Sequence, residues 1–119
     1  MSTQPTSVQS LQDAIRAFCE ARDWDRFHGA KDLAIGVATE AGELLEHFRF
    51  RSEDEVDALF RDPSARDEIA GEMADVAIFL LRMAQRYEID LGRAVLDKLA
   101  VNAKRYPVET SRGSNRKAE

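Results

Sequence analysis

Apolar residues recur along this chain at steps of three and four over most of its length, and valine and isoleucine nowhere alternate with polar residues over a strand length. The pattern predicts helices almost throughout. Residues 1–7 read as a polar leader. Ser7 is placed to cap a first helix to about residue 22, with Val8, Leu11, Ile15 and Phe18 on one face. The stretch DWDRFHGA (23–30) then reads as a loop. A second helix is expected over about 31–49, capped near Lys31–Asp32, with Leu33, Val37, Ala41, Leu44, Leu45 and Phe48 as its apolar set. Ser52 followed by Glu55 is a capping box for a short third helix over about 53–60. Asp62-Pro63 is an N-cap with proline at the first helical position, and it opens a fourth helix that runs to about Tyr87. Along that helix Ile69, Met73, Val76, Leu80, Met83 and Tyr87 step by four and three without a break, a heptad seam suited to near-antiparallel packing. Asp90 caps a fifth helix through about Lys104, and Pro107 stops it. The expected fold class is all-α, a helix bundle, with a helical domain over 8–107 and a basic flexible tail over 108–119.

A chain of 119 residues is one domain by length, and 44% hydrophobic with 33% charged residues is ordinary soluble composition. A chain this short buries only about two-thirds of its unfolded surface, so oligomerisation is a natural way to enlarge the core. The longest purely apolar run is Val76–Leu81, far short of the about 20 residues of a membrane span. The opening MSTQPTSVQS has neither a basic nor an apolar signal region, and the single Cys19 excludes a disulfide framework. A cytoplasmic protein is expected. The net charge is −5, but residues 104–119 carry +3 and the rest −8. An acidic body of this kind is a poor nucleic-acid binder, whereas it suits cations and, through them, a polyphosphate. The basic tail reads either as a phosphate clamp or as a solvated terminus.

Two acid pairs stand out from the many carboxylates by their surroundings. Glu40 and Glu43 sit in GVATEAGELLE, and Glu72 and Asp75 in IAGEMADVAIFLL, among small and apolar residues and beside the apolar seam. A spacing of three puts the two carboxylates of each pair on one helix face. If the second and fourth helices pack together, the four acids converge and repel one another, and such a cluster needs protons or a cation. Oxygen ligands without thiolate or imidazole favour Mg²⁺, with Mn²⁺ as the other candidate. A solvent-facing acidic stripe is the alternative reading. No phosphate-binding GxxxxGK[ST] loop and no GxGxxG fingerprint is present. Neither His28 nor His47 forms the Glu-x-x-His of a di-iron helix bundle.

Glu40-x-x-Glu43 followed by Glu72-x-x-Asp75 resembles the signature of the MazG-like all-α nucleoside triphosphate pyrophosphohydrolases. RDWDRFH (22–28), TEAGELLEHFRF (39–50), GEMADVAIFLL (71–81) and DLGRAVLDKLAVNAKRYP (90–107) look like the dCTP pyrophosphatase branch. The resemblance covers about residues 8–107. It implies a four-helix bundle completed by forming a homodimer or homotetramer. It also implies Mg²⁺-dependent hydrolysis of a (deoxy)nucleoside triphosphate, dCTP or a modified dCTP foremost, to the monophosphate and pyrophosphate, as a cleansing activity on the nucleotide pool. Glu40, Glu43, Glu72 and Asp75 match the family's metal-ligand positions. Trp24 matches an aromatic that contacts the base, Phe50 stands where the branch often has tryptophan, Phe79 where it often has tyrosine, and Ile15 where a substrate-contacting histidine occurs in animal relatives.

Glu46, one turn beyond Glu43, is placed either to orient the attacking water or to make an ordinary surface ion pair. Lys98, Asn102 and Arg105 step along one face of the fifth helix, either as grips for the outer phosphates or as a solvated face. Two other classes compete: a non-catalytic helical oligomerisation or regulatory module, which would be expected to have lost one of the acids, and the same chemistry on other nucleotides.

Overall fold

The structure, a computed structural model, describes residues 6–118, and residues 1–5 of the polar leader and Glu119 lie outside it. Regular structure among the described residues is entirely helical: α1 (Val8–Glu20), a 3₁₀ turn (Asp25–Phe27), α2 (Ala30–Glu46), α3 (Glu53–Arg61), α4 (Pro63–Arg86), α5 (Leu91–Arg105) and α6 (Val108–Ser111).

The caps explain where most helices begin. Ser7 Oγ accepts from Ser10 N–H at 3.0 Å, and Ser10 Oγ accepts in turn from Ser7 N–H at 3.0 Å. Ser52 and Glu55 form the expected capping box, each bond 3.2 Å. Asp62 Oδ2 accepts from Ala65 N–H at 3.3 Å, with Pro63 at the first helical position. Asp90 Oδ1 accepts from Arg93 N–H at 2.9 Å. Each satisfies a backbone donor that the first turn of a helix leaves free. Two boundaries of α2 differ from the sequence expectation. The cap is Gly29, through its extended backbone, and the helix begins before Lys31. It also ends at Glu46, three residues early. The following turn carries Phe50 in the left-handed region at φ 64°, a conformation that no spacing of apolar residues announces. Residues 108–111, assigned to the tail from sequence, form the one-turn helix α6.

The chain divides into two compact units, Met1–Glu88 and Ile89–Glu119. In the first, α4 is the hub, packing against α1, α2 and α3. Its small core is built from Cys19, Leu33, Ile69 and Ala84, joined by the polar Gln12 and Arg82. The seam of α4 is only partly covered. Ile69 is fully buried, but Met73, Leu80 and Tyr87 are about half exposed, as are Ile35 and Leu45 on α2. In the second unit Tyr106 Oη accepts from Ala118 N–H at 3.0 Å, which ties the end of the described chain to the residue after α5.

The contact between α2 and α4 sets the register of both helices. A methyl group at Gly36 would lie 2.4 Å from Cδ1 and 2.8 Å from Cγ of Phe79, so the bare backbone of α2 is the seat of that ring. The Gly36→Ala variant gains about 1 kcal/mol of helix propensity and loses about 1–3 kcal/mol to overpacking. The expected outcome is a lower urea midpoint at unchanged m-value. Adding Phe79→Leu to Gly36→Ala recovers part of the loss, so the two substitutions are non-additive in a double-mutant cycle.

Candidate functional site

Seven positions, two helical turns, separate Gly36 from Glu43 on α2, and seven separate Phe79 from Glu72 on α4. Gly36 meets Phe79 and Glu43 meets Glu72, so the helices run antiparallel and in heptad register. That register brings Glu40, Glu43 and Glu72 together, each offering one carboxylate oxygen within 4.8 Å of the other two. Asp75, the fourth predicted acid, is exposed and outside this close group, though its charge still reaches Glu40 and Glu72. It lies one turn along α4 from Glu72, and α2 and α4 alone do not draw it in.

The cluster is electrostatically unsatisfied. Glu40 Oε2 and Glu72 Oε2 are buried without a hydrogen-bond partner. The Glu40 carboxyl is pushed above its ordinary value of 4.5, first by sharing a hydrogen bond with Glu43, then by burial and by the charges of Glu43, Asp75 and Glu72. That of Glu72 is pushed up by burial first and then by Glu43 and Asp75, with His47 opposing. Three ligands of one octahedral ion at ~2.1 Å lie about 3 Å apart when adjacent and about 4.2 Å when opposite, so these oxygens, within 4.8 Å of one another, would close on a small hard cation by side-chain adjustment. The orphaned oxygens and the all-carboxylate donor set therefore fit a divalent metal. Glu46 lines the open, roughly 520 Å³ hollow beside the cluster, with Glu43, Glu72, His47 and Arg51.

A second cavity of about 320 Å³ opens two turns along α4, walled mainly by α1, α4 and the Trp24–His28 loop, and lined by Ile15, Phe18, Trp24, His28, Phe79 and Arg82 among others. Trp24 stands edge-on to Phe18 (centroids 5.7 Å apart) and to His28 (6.1 Å). Trp24 and Phe79, two of the aromatics singled out from the sequence, thus line one cavity. Phe50 does not join them: it is 96% exposed, with the Arg49 guanidinium 5.3 Å from its ring centre. In the second unit, Lys98 and Arg105 are exposed and Asn102 is half-buried. Arg105 lines a roughly 350 Å³ hollow with Tyr106, Arg116 and Lys117, and neither Lys98 nor Asn102 lines it.

Sequence reasoning missed Arg82 and Asp25. Arg82 is 1% exposed. Its Nε–H donates to His28 Nδ1 at 2.9 Å, and its two terminal nitrogens donate to Asp25 Oδ1 and Gln85 Oε1. The signal was present as a cation within FLLRMAQRY, on the same helix face as Ile78 one turn before it. The paired Asp25 carboxyl is held below its ordinary range chiefly by the Arg82 hydrogen bond.

The chain is similar to known proteins over most of its length. The chain is 37% identical to dCTP pyrophosphatase 1 of Rattus norvegicus over 113 residues and 34% identical to that of Homo sapiens over 116 residues. These alignments cover 95% and 98% of this chain, which spans about two thirds of the length of those relatives, 66% and 68%. The crystal structure of a pyrophosphatase from Archaeoglobus fulgidus superposes with a TM-score of 0.79 at 33% identity, covering 90% of this chain and 98% of that one. The MazG-like family profile matches residues 35–119, from within α2 through both acid pairs, and the chain belongs to the MazG-like family.

Proposed function

We propose that the protein is a divalent-metal-dependent nucleoside triphosphate pyrophosphohydrolase, and that its preferred substrate is dCTP or a modified dCTP. The observation that carries the reading is the spacing of two unlike sites along α4. An aromatic cavity holding Trp24 and Phe79 lies two helical turns, about 10 Å of helix rise, from a cluster of unpaired carboxylates. A base in the first and a triphosphate over the second is the arrangement a nucleotide requires. Relatives named as dCTP pyrophosphatases support the same activity and base.

Mg²⁺, or Mn²⁺ in its place, held by Glu40, Glu43 and Glu72 with Asp75 in reserve on the next turn, supplies neutralisation of phosphate charge. The chain's own groups do the rest. Trp24 and Phe79 hold the base, which sets the position of the α-phosphate along the α2–α4 groove. Glu46, beside Glu43 in the hollow, accepts a hydrogen bond from the water that attacks the α-phosphorus, in line with the bridging oxygen to the β-phosphate. Phosphoryl transfer asks mainly for such positioning and electrostatic stabilisation. In the second unit, Lys98, Asn102 and Arg105 on α5 carry donors of the kind that bind phosphate oxygens, and Phe50 is assigned to substrate contact. A homodimer or homotetramer is supported by the half-exposed apolar seam, since Met73, Leu80, Leu45 and Ile35 leave too much apolar surface bare for a lone chain.

Pyrophosphate release with Mg²⁺ across the four dNTPs, the four NTPs, dUTP and 5-methyl-dCTP is expected to concentrate on dCTP and its modified form. Release confined to another nucleotide moves the base assignment, and release from none sinks the enzymatic reading. Glu43→Ala and Asp75→Ala are each expected to lower kcat by at least about 10²-fold while circular dichroism shows an intact helical fold. Full activity in either would remove that residue from the site.

The raised carboxyls give a further test. A group whose pKa is higher folded than unfolded stabilises the fold below that pKa, and this contribution is lost as pH rises through it. At pH 7.5 in EDTA, Glu72→Gln is therefore expected to melt above the wild type, and the gap should close as pH falls through the raised Glu40 and Glu72 values towards 4.5. Mg²⁺ should raise the wild-type midpoint by mass action and leave that of Glu72→Gln nearly unmoved.

A further inference from the structure

The cavity of Trp24 and Phe79 has a polar wall that its family assignment does not explain. Of its lining side chains, only Trp24, His28, Arg82 and the buried thiol of Cys19 carry polar atoms, and no carboxylate, amide oxygen or hydroxyl is among them. The wall is therefore one of donors.

Arg82 decides which donor His28 presents. A guanidinium Nε–H cannot accept, so the 2.9 Å bond to His28 Nδ1 requires a lone pair on that nitrogen. The ring proton of a neutral imidazole must then sit on Nε2. Arg82 cannot drift away, because Asp25 and Gln85 hold its other two nitrogens from outside the cavity and the side chain is sealed from solvent. Burial, seconded by the Arg82 charge, holds the His28 ring below its ordinary value of 6.5 and so keeps it neutral at physiological pH. Among the described residues Nε2 has no hydrogen-bond partner, and it is not one of the sealed polar atoms. It is a donor left free on a fixed ring that lines an otherwise apolar cavity.

We propose that Arg82 and His28 form a specificity-determining wall: Arg82 is a positioning residue that locks His28 as the Nε2–H tautomer, and the locked N–H selects a nucleobase through a ring carbonyl oxygen. The inference rests on the reading of this cavity as the base pocket. It admits the pyrimidines and guanine by their carbonyl groups and disfavours adenine, which has none. It also gives dCTP a specific contact, the cytosine 2-carbonyl. The carboxylates that would hold metal play no part in it.

The test uses the metal-free protein first. Long-range ¹H–¹⁵N spectra at pH 7, with His28 assigned by comparison with His28→Gln, are expected to show the Nε2-protonated pattern. An Nδ1-protonated ring or a rapid mixture overturns the proposal. Trp24 is the lone tryptophan and lines the cavity, so its fluorescence reports ligand there. Quenching is expected with dCMP at an affinity about tenfold above that for dAMP or 2-thio-dCMP, the worth of one well-made hydrogen bond. Equal affinities for all three overturn it, whether or not the protein turns over any triphosphate. A wild-type protein that binds dCMP selectively but releases no pyrophosphate would sink the enzymatic reading and leave the wall standing. In an active enzyme, Arg82→Met is expected to raise KM for dCTP about tenfold with kcat nearly unchanged, to leave KM for dATP alone, and to release the His28 tautomer. Arg82→Lys, which still donates to Nδ1, should recover most of the affinity. A loss shared equally by dCTP and dATP would mark Arg82 as merely structural. Should Arg82→Met fail to fold, the wild-type tautomer and the three-ligand comparison decide alone.

Discussion

The antiparallel contact between α2 and α4 is the constraint on which the rest of the molecule depends. It is close because Gly36 offers no side chain to the Phe79 ring, and it is in register because both helices place their partners two turns apart. One crossing thereby does two jobs. At one end it seats an aromatic ring in the wall of a cavity, and at the other it forces Glu40 and Glu43 against Glu72. Neither site can be moved without the other, since a one-residue slip of either helix turns its contact face by about 100°.

The two sites handle buried charge in opposite ways. Arg82 is a cation deep in the protein whose three donating nitrogens all find partners, with the Asp25 carboxylate to offset its charge. A buried ion persists only on such terms. The acid cluster has like charges, orphaned oxygens and carboxyls pushed upward. The first is complete and rigid, which suits recognition. The second is incomplete by itself, which suits a site that draws in a cation and the anion that comes with it.

The fully buried apolar set of the first unit is very small, while apolar residues on α2 and α4 stay half exposed. Ile69 alone of the long seam on α4 is sealed. A helix with a continuous apolar seam normally buries that seam against something, and this chain supplies cover for only part of it. The unevenness comes from length: short chains bury a smaller share of their surface.

The order of the helices and the caps of α1, α3, α4 and α5 were legible in the sequence because capping and periodicity are local, resting on a serine or aspartate, a proline and a step of three or four. The acid pairs were legible because carboxylates among glycines and alanines beside an apolar seam are costly and conspicuous. What only the tertiary structure decided is everything set by a neighbour distant in the chain. Gly36 belongs to Phe79, 43 positions on, whereas Gly42 and Gly71, equally prominent as helical glycines, face open space. Three of the four acids converge and Asp75 stands off. Phe50 sits in a left-handed turn that carries it out into solvent. Arg82, a cation in an apolar run, meets His28 and Asp25 across more than fifty residues. Local pattern fixes which face of a helix is apolar, but the pairing of faces depends on packing, and packing alone turned a lone histidine and a surface-like arginine into the wall of a cavity.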